Sequence, residues 1–145
     1  MSPPRFCRVL MIEDDEVRIE RITAWLPPDL RLVVTRSGGR AMRTLQLDMP
    51  ATYAGIMLDH DLQQQIVADA ESSLSSSNLI DVIIRKINRD VPVLVHSMNV
   101  SRGPVLVERL RNAGFYTSYV PFEQLTKQGF LNWIEYVREL WEDSL

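Results

Sequence analysis

Three short polar clusters supply carboxylate, imidazole and hydroxyl groups, which bind metal ions and move protons. They are Glu-Asp-Asp-Glu at residues 13–16, Asp-His-Asp at residues 59–61 and His-Ser-Met-Asn at residues 96–99. Each lies at the end of a short apolar run, which is typical of a buried strand. Carboxylates brought together from separate strands repel one another, and a divalent cation relieves that repulsion. The clusters therefore predict a metal site if the fold makes them neighbours.

Apolar runs rich in β-branched residues alternate with stretches of helical period, which predicts an α/β fold. The predicted strands cover residues 8–12, 30–35, 54–59, 91–97 and 115–120, and the predicted helices cover 17–26, 38–47, 78–88, 105–112 and 128–141. This pattern is typical of a doubly wound parallel sheet, in which ligands bind outside the carboxyl ends of the strands. We therefore expect the three clusters to meet at one edge of the sheet.

Length and charge limit the classes of protein that fit. A chain of 145 residues suits one domain, and we expect residues 1–145 to form it. The 16 Lys and Arg and 19 Asp and Glu leave a net charge of −3, the wrong sign for a domain that grips a nucleic acid backbone. We expect a cytoplasmic protein with no nucleic acid or membrane partner. The oligomeric state is left open.

Residues 60–77 form an unusually long connection between a strand and a helix. Five of the six residues from 72 to 77 are serine, a composition that favours a loop. Two interpretations stay open: a solvated insertion in the domain, or a lid over the end of the third strand.

The acidic residues suit Mg²⁺, which prefers oxygen ligands from a few side chains, completed by water and phosphate. We expect Asp14, Asp15 and Asp59 around the ion, with a main-chain oxygen near Asp61 as a further ligand. An acidic run at a helix start also has a structural explanation, because capping and the helix dipole favour it.

The two histidines, His60 and His96, both fall at the polar end of the predicted sheet. Imidazole titrates near neutral pH, so such a pair can provide a base for water and an acid for a leaving alkoxide. Either histidine could instead be an ordinary hydrogen-bonded residue. Neighbours along a strand point to opposite faces, so His96 and Ser97 should diverge.

The strings VLMIEDD at 9–15, IMLD at 56–59, PVLVHS at 92–97 and YVPF at 119–122 resemble the receiver domain of two-component response regulators. The resemblance implies a flavodoxin-like, CheY-like sheet of order 2-1-3-4-5 with five helices. It also implies Mg²⁺ at Asp14 and Asp15, phosphoryl transfer from a histidine kinase to Asp59, and contact between Ser97 and that phosphoryl group.

Two departures from the receiver pattern bear on function. Val120 stands where receivers have a lysine that pairs with the phosphoryl oxygens, and Arg102 is either a replacement clamp or an exposed surface residue. In addition, LDHDL at 58–62 and HSMN at 96–99 resemble the receiver-like subgroup described as cyclic-phosphate-processing.

Three functions follow. The preferred one is a metal-dependent phosphoesterase that acts on a small cyclic phosphate, with a catalytic set drawn from the second and third clusters: His60, His96, Asp59, Ser97 and Asn99. The second is a phosphoacceptor served by a histidine kinase. The third is a pseudo-receiver that acts as a protein-interaction module.

Overall fold

The computed structural model describes residues 7–47, 53–59, 76–96 and 103–143. Five parallel strands form one sheet in the order β2-β1-β3-β4-β5. The strands are β1 (Cys7–Ile12), β2 (Leu30–Thr35), β3 (Gly55–Leu58), β4 (Val93–Val95) and β5 (Thr117–Tyr119). The helices are α1 (Glu16–Trp25), α2 (Gly38–Leu47), α3 (Ser76–Lys86), α4 (Gly103–Asn112) and α5 (Lys127–Asp143), with a 3₁₀ turn at Phe122–Gln124. The predicted fold class is confirmed.

Helices cover both faces of the sheet, so the central strands are apolar on both sides. Side chains alternate between the faces along each strand. Leu10 and Ile12 of β1 pack in the core beneath α2, α3 and α4, whereas Val9 and Met11 pack in the core beneath α1 and α5. Phe130 of α5 fills the second core and is fully buried. This two-sided burial is the physical reason for the continuous apolar runs in the sequence.

Several boundaries differ from the predicted ones. The third, fourth and fifth strands are shorter than expected and cover Gly55–Leu58, Val93–Val95 and Thr117–Tyr119. Helix α3 begins at Ser76, so the end of the predicted 60–77 loop belongs to that helix. Residues 60–75 lie outside the described ranges, and the choice between insertion and lid stays a prediction. Among the described helices, none is long and apolar enough to cross a membrane.

Candidate functional site

Backbone hydrogen bonds align the ends of three neighbouring strands. The Asp59 amide donates to the Ile12 carbonyl at 3.1 Å, and the His96 amide donates to the Leu58 carbonyl at 3.1 Å. The Glu13 amide donates to Thr35 on the other side, at 3.0 Å. The ladder thus continues one step past β1, β3 and β4. The residues that follow these strands are held side by side at the carboxyl edge of the sheet.

Three carboxylates meet at this edge. Ligand atoms of Glu13, Asp14 and Asp59 all lie within 4.8 Å of one another, and we call this group the acidic cluster. Glu13 and Asp59 are buried. Among the described residues, the buried Oδ2 atom of Asp14 has no hydrogen-bond partner. Three converging oxygens, one of them unsatisfied, fit a divalent cation such as Mg²⁺.

The acidic cluster contains Glu13, whereas the sequence had predicted Asp15 as the third carboxylate. Glu13 is the first residue after β1, so its side chain starts at the sheet edge. Asp15 is instead the N-cap of α1, and its side chain accepts a hydrogen bond from the Arg18 amide at 3.1 Å. Asp14 and Asp59 lie together as expected. Asp15 therefore caps the helix, whereas Glu13 and Asp14 fit the role of metal ligands.

Hydrogen bonds keep Glu13 ionised. Its Oε1 atom accepts the amides of Asp14 and Asp15 at 3.0 and 3.1 Å. Its Oε2 atom lies 2.9 Å from His96 Nε2. Burial by itself would raise the pKa of Glu13, but the hydrogen bond and charge of His96 and the Asp15 amide outweigh it and lower the pKa to about 2. Glu13 is therefore a carboxylate, and His96 Nε2 carries the hydrogen that it accepts.

The same negative charge acts on the next residue. Burial, together with the neighbouring Glu13 carboxylate, raises the pKa of Asp14 above its ordinary value. Besides burial, the raised pKa reflects the repulsion between neighbouring carboxylates in the acidic cluster. A divalent ion removes that conflict, as the sequence analysis expected of converging carboxylates.

His96 lies beneath the acidic cluster and is fully buried. Its ring packs edge-on against Phe122, with centroids 5.9 Å apart, and its carbonyl accepts the Phe122 amide at 3.1 Å. Among the described residues, its buried Nδ1 atom has no hydrogen-bond partner. The imidazole is thus joined to the acids through Glu13 and is closed to solvent in this conformation.

Arg18 is a site residue that the sequence analysis missed. Its Nη1 atom lies 3.5 Å from Glu13 Oε2 and 3.6 Å from Asp59 Oδ2, and its side chain is 23% exposed. The available signal was its position in the first turn of α1, the helix that follows the polar cluster at residues 13–16. The structure thus places a permanent cation against the acidic cluster.

The end of β5 provides no cation. Val120 is partly buried and packs against the core beneath α1 and α5. Its amide donates to the Val95 carbonyl at 3.0 Å, which holds the backbone in line with β4. The other predicted site residues, His60, Asp61, Ser97, Asn99 and Arg102, lie outside the described ranges.

The chain has the fold of CheY-like response-regulator receiver domains. It is similar to the signal receiver domain of an HD domain-containing protein from Pseudomonas fluorescens Pf-5, with a TM-score of 0.68 and 16% identity over 99% of this chain and 95% of that one. It is also similar to the response regulator domain of CheB from Thermotoga maritima, with a TM-score of 0.63 and 17% identity over 95% and 98% of the two chains.

A third similar structure contains a metal ion. It is the receiver domain of a sensor histidine kinase from Pseudomonas aeruginosa PAO1, with magnesium coordinated in its active-site cleft. Its TM-score is 0.62, and its identity is 22% over 90% of this chain and 97% of that one. No protein-family model matches the chain, and no curated protein matches it.

Proposed function

We propose that this protein is a receiver-like signalling domain in which Asp59 accepts a phosphoryl group beside a divalent cation held by Glu13, Asp14 and Asp59. The observation that carries the proposal is the convergence of the three carboxylates within 4.8 Å. A histidine kinase in the same cytoplasm would be the physiological donor. A bound Mg²⁺ would neutralise the carboxylates and offset the charge of the incoming phosphoryl group.

The roles of the protein's own residues follow from their contacts. A carboxylate oxygen of Asp59 attacks phosphorus, the bond from phosphorus to the donor breaks, and the leaving group departs with the electron pair. Glu13 is fixed by two backbone amides and by His96, so its position is set before any ligand arrives. Preorganisation of this kind lowers the cost of gathering charge at the site.

Intact-mass measurement tests this function directly. The protein is incubated with Mg²⁺ and acetyl phosphate, in parallel with Asp59→Asn, whose amide has a similar shape but is not a nucleophile. We expect the native protein to gain the mass of one phosphoryl group and the variant to gain none. Equal behaviour of the two proteins, with or without a mass gain, would overturn the assignment of Asp59.

A second candidate is hydrolysis of a small cyclic phosphate. The observation in its favour is the contact between His96 and Glu13, which attaches an imidazole to the acidic cluster. For proton transfer, the buried His96 would have to become accessible to the substrate. Turnover of nucleoside 2′,3′-cyclic phosphates that is lost in His96→Ala, in a native protein that gains no phosphoryl mass on Asp59, would favour this candidate over the phosphoacceptor.

A further inference from the structure

We propose that Arg18 provides the positive charge that faces the phosphoryl group on Asp59, a role that the end of β5 cannot fill because Val120 is the residue that follows it. This inference rests on the proposed phosphoacceptor function. It assigns to a helix residue the task of holding the phosphoryl oxygens.

The position of Arg18 is the first support. One guanidinium nitrogen, Nη1, lies 3.6 Å from Asp59 Oδ2, the carboxylate that would carry the new group, and 3.5 Å from Glu13 Oε2. Both of these contacts are made through Nη1, one of the three nitrogens of the guanidinium group. A guanidinium can therefore keep Glu13 as a partner while it presents further N–H groups to phosphoryl oxygens. Such fork-like contacts are the preferred geometry between arginine and phosphate.

Phe122 provides the second support, because it holds the guanidinium over the site. The central carbon of the Arg18 guanidinium lies 5.5 Å from the centre of the Phe122 ring, within the range of a cation–π contact. Phe122 comes two residues after Val120. The segment after β5 therefore contributes an aromatic platform for a cation from α1 instead of a cation of its own.

Charge at the site is the third support. Phosphorylation adds negative charge to a region that already contains three carboxylates. A guanidinium group stays positively charged under physiological conditions. Arg18 is also only partly exposed, which limits screening by water and salt.

The same placement has a consequence for the metal. Because Arg18 already neutralises part of the acidic cluster, it opposes the binding of a divalent cation there. Replacing it with a neutral residue should tighten Mg²⁺ binding while it slows phosphorylation. A variant that merely disordered the site would weaken both, so the two readouts separate an electrostatic role from a structural one.

Arg21 offers a matched control on the same helix. Its guanidinium carbon lies 5.7 Å from the centre of the same Phe122 ring, and its side chain is exposed. Among the described residues, it forms no ion pair with the acidic cluster. Arg21→Gln therefore removes one charge and one contact with Phe122 but leaves the proposed contact with the phosphoryl group intact.

The test compares the native protein with Arg18→Gln, Arg18→Lys and Arg21→Gln. The rate of mass gain is measured with acetyl phosphate and Mg²⁺, and the affinity for Mg²⁺ alone is measured by calorimetry. Circular dichroism and thermal unfolding confirm that each variant is folded. We expect Arg18→Gln to gain mass about tenfold more slowly or worse, to bind Mg²⁺ several-fold more tightly, and to be partly rescued by lysine. We expect Arg21→Gln to match the native protein.

Failure of this proposal is distinguishable from failure of the proposed function. If the native protein is phosphorylated and Arg18→Gln reacts at the native rate, Asp59 remains the acceptor and the role of Arg18 is wrong. Equal slowing of Arg18→Gln and Arg21→Gln would also overturn it, because the effect would belong to the helix charge or to Phe122. If the native protein gains no phosphoryl group on Asp59, the proposed function fails and this inference fails with it.

Discussion

Glu13→Gln should make the free energy of unfolding less dependent on pH in the acid range. The substitution keeps the shape of the side chain and an oxygen for the Asp14 and Asp15 amides, but it removes the charge that faces His96. The pKa of Glu13 is lowered from 4.5 to about 2 in the folded protein. A carboxyl group whose pKa is lowered by folding stabilises the folded state above its unfolded pKa, and that contribution is lost as the pH falls towards the folded value.

The size of the effect follows from the two pKa values. A difference of about 2.5 units corresponds to about 3 kcal/mol of folding free energy at neutral pH. Glu13 is fully buried, so water does little to screen the interactions of its carboxylate. By the same linkage, about 2 kcal/mol of this contribution disappears between about pH 5 and about pH 3.

Urea unfolding of the native protein and of Glu13→Gln, in a metal chelator, measures the effect. Other carboxylates titrate in the same range, so the relevant quantity is the difference in unfolding free energy between the two proteins. We expect this difference to shift against the native protein by about 2 kcal/mol from about pH 5 to about pH 3. Glu20→Gln is the control, because Glu20 is exposed on α1 and forms no ion pair within the described ranges. A difference for Glu13→Gln that stays constant over this interval would refute the reasoning.

Three further predictions follow from the described contacts. Asp15→Ala should cost about 1 kcal/mol in urea unfolding through loss of the α1 cap, with Mg²⁺ affinity unchanged in calorimetry; a large loss of Mg²⁺ binding would make Asp15 a ligand after all. Burial raises the pKa of the Cys7 thiol to about 11, so Cys7 should resist a thiol-labelling reagent in native buffer and react rapidly in urea; rapid native labelling at neutral pH would contradict its place in the core. Phe130→Ala should cost about 3–5 kcal/mol in urea unfolding, because Phe130 fills the core beneath α1 and α5, and a cost no larger than that of partly buried Leu131→Ala would contradict that packing.

The sequence predicted the fold well because its central strands are buried on both faces. The runs at residues 9–12 and 55–58 are buried throughout, so they contain no polar residue to obscure their limits. The shorter edge strand β5 was harder to delimit, because its exposed Ser118 and partly buried Tyr119 differ little in polarity from the residues around them. Strand ends are set by ladder geometry, which residue types indicate only approximately.

The sequence alone did not show which acidic residues are metal ligands and which cap the helix. The run at residues 13–16 contains ligand candidates and helix caps in adjacent positions, and composition does not separate them. The structure separates them because the Asp15 side chain is used by the Arg18 amide, whereas Glu13 and Asp14 lie with Asp59. Pairwise alternation along a strand indicated that His96 would diverge from Ser97, but it did not identify Glu13 as the partner of His96.

Arg18 was missed for a different physical reason. A long side chain on the first turn of a helix can extend into solvent or return to the strand ends, and its spacing allows both. The return is favoured here by two carboxylates and an aromatic ring that come from three other segments of the chain. Asp59 and Phe122 are distant in the sequence, so the local pattern around Arg18 does not encode these contacts.

The most direct test of a single cation site is a crystal structure of the protein grown with Mn²⁺ in place of Mg²⁺, with an anomalous difference map. We predict one strong peak at the carboxyl edge of the sheet, bound by oxygens of Glu13, Asp14 and Asp59. A peak bound by Asp15 without Glu13, or a map with no peak between these carboxylates at saturating Mn²⁺, would contradict the account.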